Sequence, residues 1–126
     1  MNVPANLRYT KSHEWVLVEG GVATVGITDF AQAQLGDLTF VELPGEGETV
    51  NAGDDVAVVE SVKAASDVYA PVAGTIAGAN GDLEINPELI NTDAFGKGWM
   101  FKVKMANPAD VNALLSAADY AKLLPA

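Results

Sequence analysis

Lys63 is the only cation between Ser12 and Gly96, a span that also carries fifteen aspartates and glutamates. The other six basic residues lie outside it, Arg8 and Lys11 before and Lys97, Lys102, Lys104 and Lys122 after. The acids already keep such a chain soluble, and a lysine serving only as solvated surface can sit anywhere. Lys63 is therefore a candidate for a placed residue, although on charge count alone a chance survivor in a lysine-poor chain is an equal alternative. Around it runs Val59-Glu60-Ser61-Val62-Lys63-Ala64-Ala65-Ser66-Asp67. A lysine acts as a nucleophile or base only when desolvation or a nearby cation lowers its pKa, and Glu60 and Asp67 favour its charged form instead. It is poorly placed for Schiff-base chemistry and well placed to be modified by another enzyme, which would remove its charge and hang a group on a flexible stem.

Other chemistries lack the residues to build them. With no cysteine and one histidine, His13, there is no thiol nucleophile and no set for a His-based triad or a multi-His metal site. His13 is expected to be a packed or surface side chain beside Trp15. Asn80-Gly81-Asp82-Leu83-Glu84-Ile85-Asn86 alternates oxygen ligands but lacks the late bidentate glutamate of a calcium loop, so a turn is expected. Gly45-Glu46-Gly47-Glu48 has no lysine and two carboxylates that would repel a phosphate.

A formal charge of −10 opposes nucleic acid and anionic membrane surfaces, so neither is expected as a partner and basic protein rims are. No stretch approaches the roughly 18 apolar residues of a membrane span. The start, MNVPANLRYTKSHEW, has neither an apolar signal core nor an Arg- and Ser-rich leader. A bacterial cytoplasmic location is the expectation, and a mitochondrial one only if a leader has been removed.

The elements that must position Lys63 follow from pattern. Trp15–Val18 and Val22–Ile27 read as strands around a Gly-Gly turn. Thr28 or Asp29 caps a short helix over Phe30–Leu35, which Gly36 ends. Leu38–Leu43 and Val56–Val59 are strand signals separated by turn clusters at Pro44–Gly47 and Asn51–Asp54. Val68-Tyr69 returns after Lys63, which puts the lysine near the tip of a tight connection. Gly98–Met105 alternates lysine with apolar residues as a half-buried strand does. Asn107-Pro108 starts a helical tail in which Ser116 and Asp119 can cap a second turn. Val41–Gly47 and Val68–Gly74 share the pattern V-x-[LA]-P-x-x-G at an offset of 27, three identities in seven positions; if the echo is a true repeat, the two halves form a quasi-symmetric pair with Lys63 between them. Many short strands with close turns predict a small sandwich or barrel with a docked C-terminal helix.

VESVKAASDVYAPVAG resembles the lipoyl-attachment hairpin of the glycine cleavage system H proteins. YTKSHEW (9–15), ATVGITDFAQAQLGD (23–37), FVELPGEGETV (40–50), INPELIN (85–91) and GWMFKVK (98–104) resemble that family in order and spacing, over roughly residues 7 to 124. Biotin carriers set their lysine between methionines and lipoyl domains of 2-oxoacid dehydrogenases place Asp before it, whereas the neighbours here are Val62 and Ala64. The resemblance implies a mainly β fold, a barrel-sandwich hybrid of the lipoyl/biotinyl-like type with a short helix in the N-terminal half and a C-terminal helix. It implies one lipoyl-carrier domain over 1–126, with a β core at 7–105, a lipoyl hairpin near 56–70 and a helical tail at 108–124.

The function implied is that of a carrier without catalysis of its own. Lipoic acid would be joined by an amide to Lys63, flanked by Glu60, Ser61, Val62 and Ala64, by a lipoate ligase or lipoyl transferase. The carrier would take an aminomethyl group from the pyridoxal-phosphate-dependent glycine decarboxylase, deliver it to the aminomethyltransferase and be reoxidised by dihydrolipoamide dehydrogenase. A monomer is expected. A cationic amine on the arm calls for shielding carboxylates, and Ser12, Glu14 and Asp67 are the candidates, with solvated surface acids an equal alternative for Glu14 and Asp67. Many relatives carry histidine where this chain has Gln34, so an imidazole contact to the arm is absent. A lipoyl carrier or lipoate-relay protein for another complex, and an unmodified interaction domain, are the competing readings.

Overall fold

A computed structural model describes residues 2–125. Among the described residues, nine strands form two antiparallel sheets. The larger holds β1 (Arg8–Tyr9), β2 (Glu14–Glu19), β3 (Val22–Ile27), β5 (Thr49–Val50), β8 (Gly74–Ala79) and β9 (Phe101–Met105), in the order β1-β2-β3-β9-β8-β5. The smaller holds β4 (Leu38–Glu42), β6 (Asp55–Ser61) and β7 (Ala65–Tyr69), in the order β4-β6-β7. Alternation decides which face is inward: Val16, Val25, Ile76, Phe101 and Val103 from one sheet meet Val41, Ala57, Val59 and Val68 from the other in one buried core. Lys102 and Lys104 stay exposed between the buried residues of β9, as the sequence alternation predicts.

The β2–β3 turn is at Gly20-Gly21, both at positive φ. The helix α1 (Asp29–Leu35) is N-capped by Thr28, whose hydroxyl accepts from Ala31 N, and Gly36 ends it with φ 79. Two further one-turn helices, α2 (Asp82–Ile85) and α3 (Leu89–Thr92), bridge β8 and β9. The segment 80–86 thus contains a helical turn, and Asn80 is buried with its amide donating to the carbonyls of Lys97 and Trp99. The two echoed segments begin in β4 and β7, which flank β6, and end at Gly47 and Gly74, which lead into the paired strands β5 and β8. Lys63 lies between the two echoed segments, in the β6–β7 connection.

The tail differs from a continuous helix over 108–124. Asn107 caps a 3-10 helix at Pro108–Ala113, then Leu114 is extended, and Leu115 pairs with Tyr9 through hydrogen bonds of 2.9 and 2.8 Å. Backbone pairing to β1 takes the groups a helix would need there. Ser116 restarts the helix as the cap of α4 (Ala117–Ala121). A second apolar cluster of Leu7, Tyr9, Trp15 and Tyr120 fastens this tail, with the Tyr9 and Tyr120 rings stacked at 4.7 Å.

Candidate functional site

The β6–β7 hairpin places Lys63. Val59 opposite Ser66 and Ala57 opposite Val68 belong to the inward face, so Glu60 opposite Ala65 and Asp67 opposite Val58 belong to the outer one. Ser61 closes the turn: its N–H donates to Ala64 O at 2.8 Å, and its hydroxyl accepts from the N–H groups of Lys63 (3.3 Å) and Ala64 (3.2 Å). A serine side chain standing in for a backbone acceptor is what makes so short a connection satisfiable. Val62 is 90 % exposed, and Lys63, Ala64 and Ala65 are exposed beside it. Among the described residues the one ion pair is Lys122 with Asp119, so neither Glu60 nor Asp67 is within ion-pair distance of Lys63.

Two residues that the sequence pattern did not single out for function meet the lysine or support what it meets. The Lys63 stem lies over Gly36, where a Cβ would sit 3.3 Å from its Cε. Asn91 on α3 ties this corner together: its amide donates to Gly36 O and to Gln32 Oε1, both at 2.9 Å, and accepts from Leu38 N at 2.9 Å. Gly36 carried a sequence signal only as a helix terminator. Gln34, two residues before Gly36 on α1, is exposed.

Ser12 and Glu14 gather elsewhere. Glu14 is 1 % exposed, not a solvated acid. Its Oε1 accepts from Thr10 Oγ1 at 2.6 Å and Ser12 Oγ at 2.5 Å, and its Oε2 accepts from Tyr69 N at 3.3 Å. The carboxylate therefore joins the loop before β2 to the end of β7 in the other sheet. Tyr69 is four residues along β7 from Ala65, about 13 Å at the usual strand rise. Asp67 is exposed between these points. Ser12 and Glu14 come together, then, while Asp67 shares only its strand with Lys63 and the Glu14 contact.

His13 anchors the tail. It has φ 72, its carbonyl accepts from Thr28 N, and its Nδ1 is 2.7 Å from Tyr120 Oη, which is also 2.7 Å from Thr28 Oγ1. Burial lowers its pKa, and the neighbouring Glu14 carboxylate works against that shift. It is a packed residue in contact with Tyr120 and Phe30.

Chemically, the hairpin offers one accessible primary amine beside small side chains, on a turn held by its own hydroxyl. That arrangement suits attachment of a group by an external enzyme.

Comparison with known proteins gives consistent matches over nearly the whole chain. The family model described as "Glycine cleavage H-protein" matches residues 7–126. The glycine cleavage system H protein of Opitutus terrae is 58% identical over 124 residues, covering 98% of each chain. That of Carboxydothermus hydrogenoformans is 53% identical over 122 residues, covering 97% of this chain and 94% of its own. A crystal structure of a glycine cleavage system H protein from Mycobacterium marinum superposes with a TM-score of 0.87 at 41% identity, covering 95% of this chain and 97% of that one.

Proposed function

The chain belongs to the glycine cleavage H-protein family, and on that footing we propose that it is a non-catalytic carrier whose Lys63 bears lipoic acid in amide linkage. The observation that carries this reading is the single exposed amine at the tip of the β6–β7 turn, in a span otherwise free of cations. The residues present fit the group: Ala64 and Ala65 add little bulk beside the exposed lysine, and Ser61 fixes the backbone from which the stem departs.

A lipoyl group held there would supply a disulfide capable of thiol exchange. The chain's own part is mechanical and electrostatic. Lys63 provides a long stem that lets one carrier serve several active sites in turn, which raises the local concentration of the reactive end at each. Glu42, Glu60 and Asp67, on the outer face of the small sheet, attract basic rims and help hold encounter partners weakly enough to part. The partners in this reading are glycine decarboxylase, aminomethyltransferase, dihydrolipoamide dehydrogenase and a lipoate ligase or lipoyl transferase. Glu14 is a scaffold residue in this scheme: its carboxylate is occupied by protein donors and fixes the position of Ser12. The domain spans the whole of 1–126 and acts as a monomer in the cytoplasm.

Lys63→Arg tests the proposal. Arginine keeps the charge at an exposed turn but cannot be acylated by an enzyme that requires a primary amine. A reconstituted glycine cleavage assay is expected to lose all turnover with this variant while its melting temperature stays that of wild type. Retained turnover would refute the assignment of Lys63.

A further inference from the structure

Resting on the reading of Lys63 as the acylated residue, we propose that Gly36 is a positioning residue for the lysine arm. The unmodified stem lies folded back on the bare Cα of Gly36, and this seat competes with delivery of the amine to the enzyme that acylates it.

Both sides of the contact are held. On the hairpin, Ser61 fixes the backbone of Lys63 and Ala64. At the end of α1, Asn91 holds Gly36 O, Gln32 Oε1 and Leu38 N, each at 2.9 Å. The gap between them admits a hydrogen and little more, since a Cβ on Gly36 would lie 3.3 Å from Lys63 Cε and 3.7 Å from Nζ. Gly36 has φ 79 and ψ −160, a region in which side chains are strained, so the turn and the seat ask for the same residue.

An amine can be acylated only after its stem extends into another protein's active site. A stem lying on its own body must first lift, and the apparent affinity of the acylating enzyme falls by the fraction of carrier that is folded back. Burial of about one methylene on the seat shifts the ratio of folded-back to extended carrier by roughly three- to fivefold.

The test has two readouts. A carbon-edited NOE spectrum of the unmodified chain is expected to connect Lys63 Hε with Gly36 Hα. Lipoylation by a lipoate ligase, with carrier concentration varied, is expected to show KM three- to fivefold lower for Gly36→Ala at unchanged kcat, and a smaller fall for Asn91→Ala. A merely structural glycine would lower the melting temperature and leave KM in place. If Gly36→Ala does not fold, Asn91→Ala and the NOE decide. A missing NOE, or a KM that stays or rises in the folded variants, overturns the seat. A ligase that ignores wild-type Lys63 while the NOE is present contradicts the carrier reading, whereas full lipoylation with no NOE contradicts the seat alone.

Discussion

Glu14 shows what a single residue contributes and how little of it a sequence declares. One carboxylate accepts from Thr10, Ser12 and the Tyr69 backbone and is closed off from solvent. Glu14→Ala strands those donors, so unfolding by denaturant should show a loss of about 1–3 kcal/mol; a loss within about 0.5 kcal/mol would mean that the acid behaves as a surface residue. Nothing periodic marks a buried acid, although hydroxyls at Thr10 and Ser12, four and two residues upstream, were a usable signal. Lys63 was legible because charge exclusion is visible by counting. His13 yields a pH prediction. Its pKa lies below the ordinary 6.5 because burial disfavours the cation. With the folded value below the unfolded one, the unfolded chain binds more protons in that window, so its contribution is complete above pH 6.5 and is lost as pH falls below it. Being the only histidine, it can be followed alone by NMR, with a midpoint expected below 6.5. A midpoint above 6.5 would mean that the Glu14 charge outweighs burial.

Elements with a period or a cap are legible in the sequence. The Gly-Gly hairpin, α1 between Thr28 and Gly36, the lysine turn and the alternating β9 all follow from local rules that the tertiary structure does not override. The strands β1 and β5, two residues each, and the one-turn helices α2 and α3 are too short to show a period; pairing with β2 and β8 defines the strands, and local hydrogen bonds define each helix. The divided tail also comes from pairing. Leu114 and Leu115 keep helical spacing in sequence, yet β1 captures the Leu115 backbone. At Gly74 the approach of two strands sets the residue: a Cβ there would collide with the backbone carbonyl of Lys104, which no side-chain adjustment relieves. Gly74→Ala is therefore expected to destabilise the β8–β9 pairing by about 1–3 kcal/mol or more. Thermal melting with unchanged stability would contradict that register.

At the scale of the whole molecule, charge is spread unevenly over the two sheets. Lys102 and Lys104 are exposed on β9 of the larger sheet, with Lys102 5.1 Å from the Trp99 ring centroid. The small sheet that carries the lysine turn has Glu42, Glu60 and Asp67 on its outer face. A body of net charge −10 with this polarity presents its lysine tip first to a basic partner, which favours rapid encounter over tight retention. The central claim nonetheless rests on one covalent bond. Its most direct test is the intact mass of the protein purified from its native host, with peptide mapping across Glu60 to Asp67. The mass should exceed that of the bare chain by one lipoyl group, located on Lys63. An unmodified Lys63 in a host whose other lipoyl proteins are modified would contradict the account.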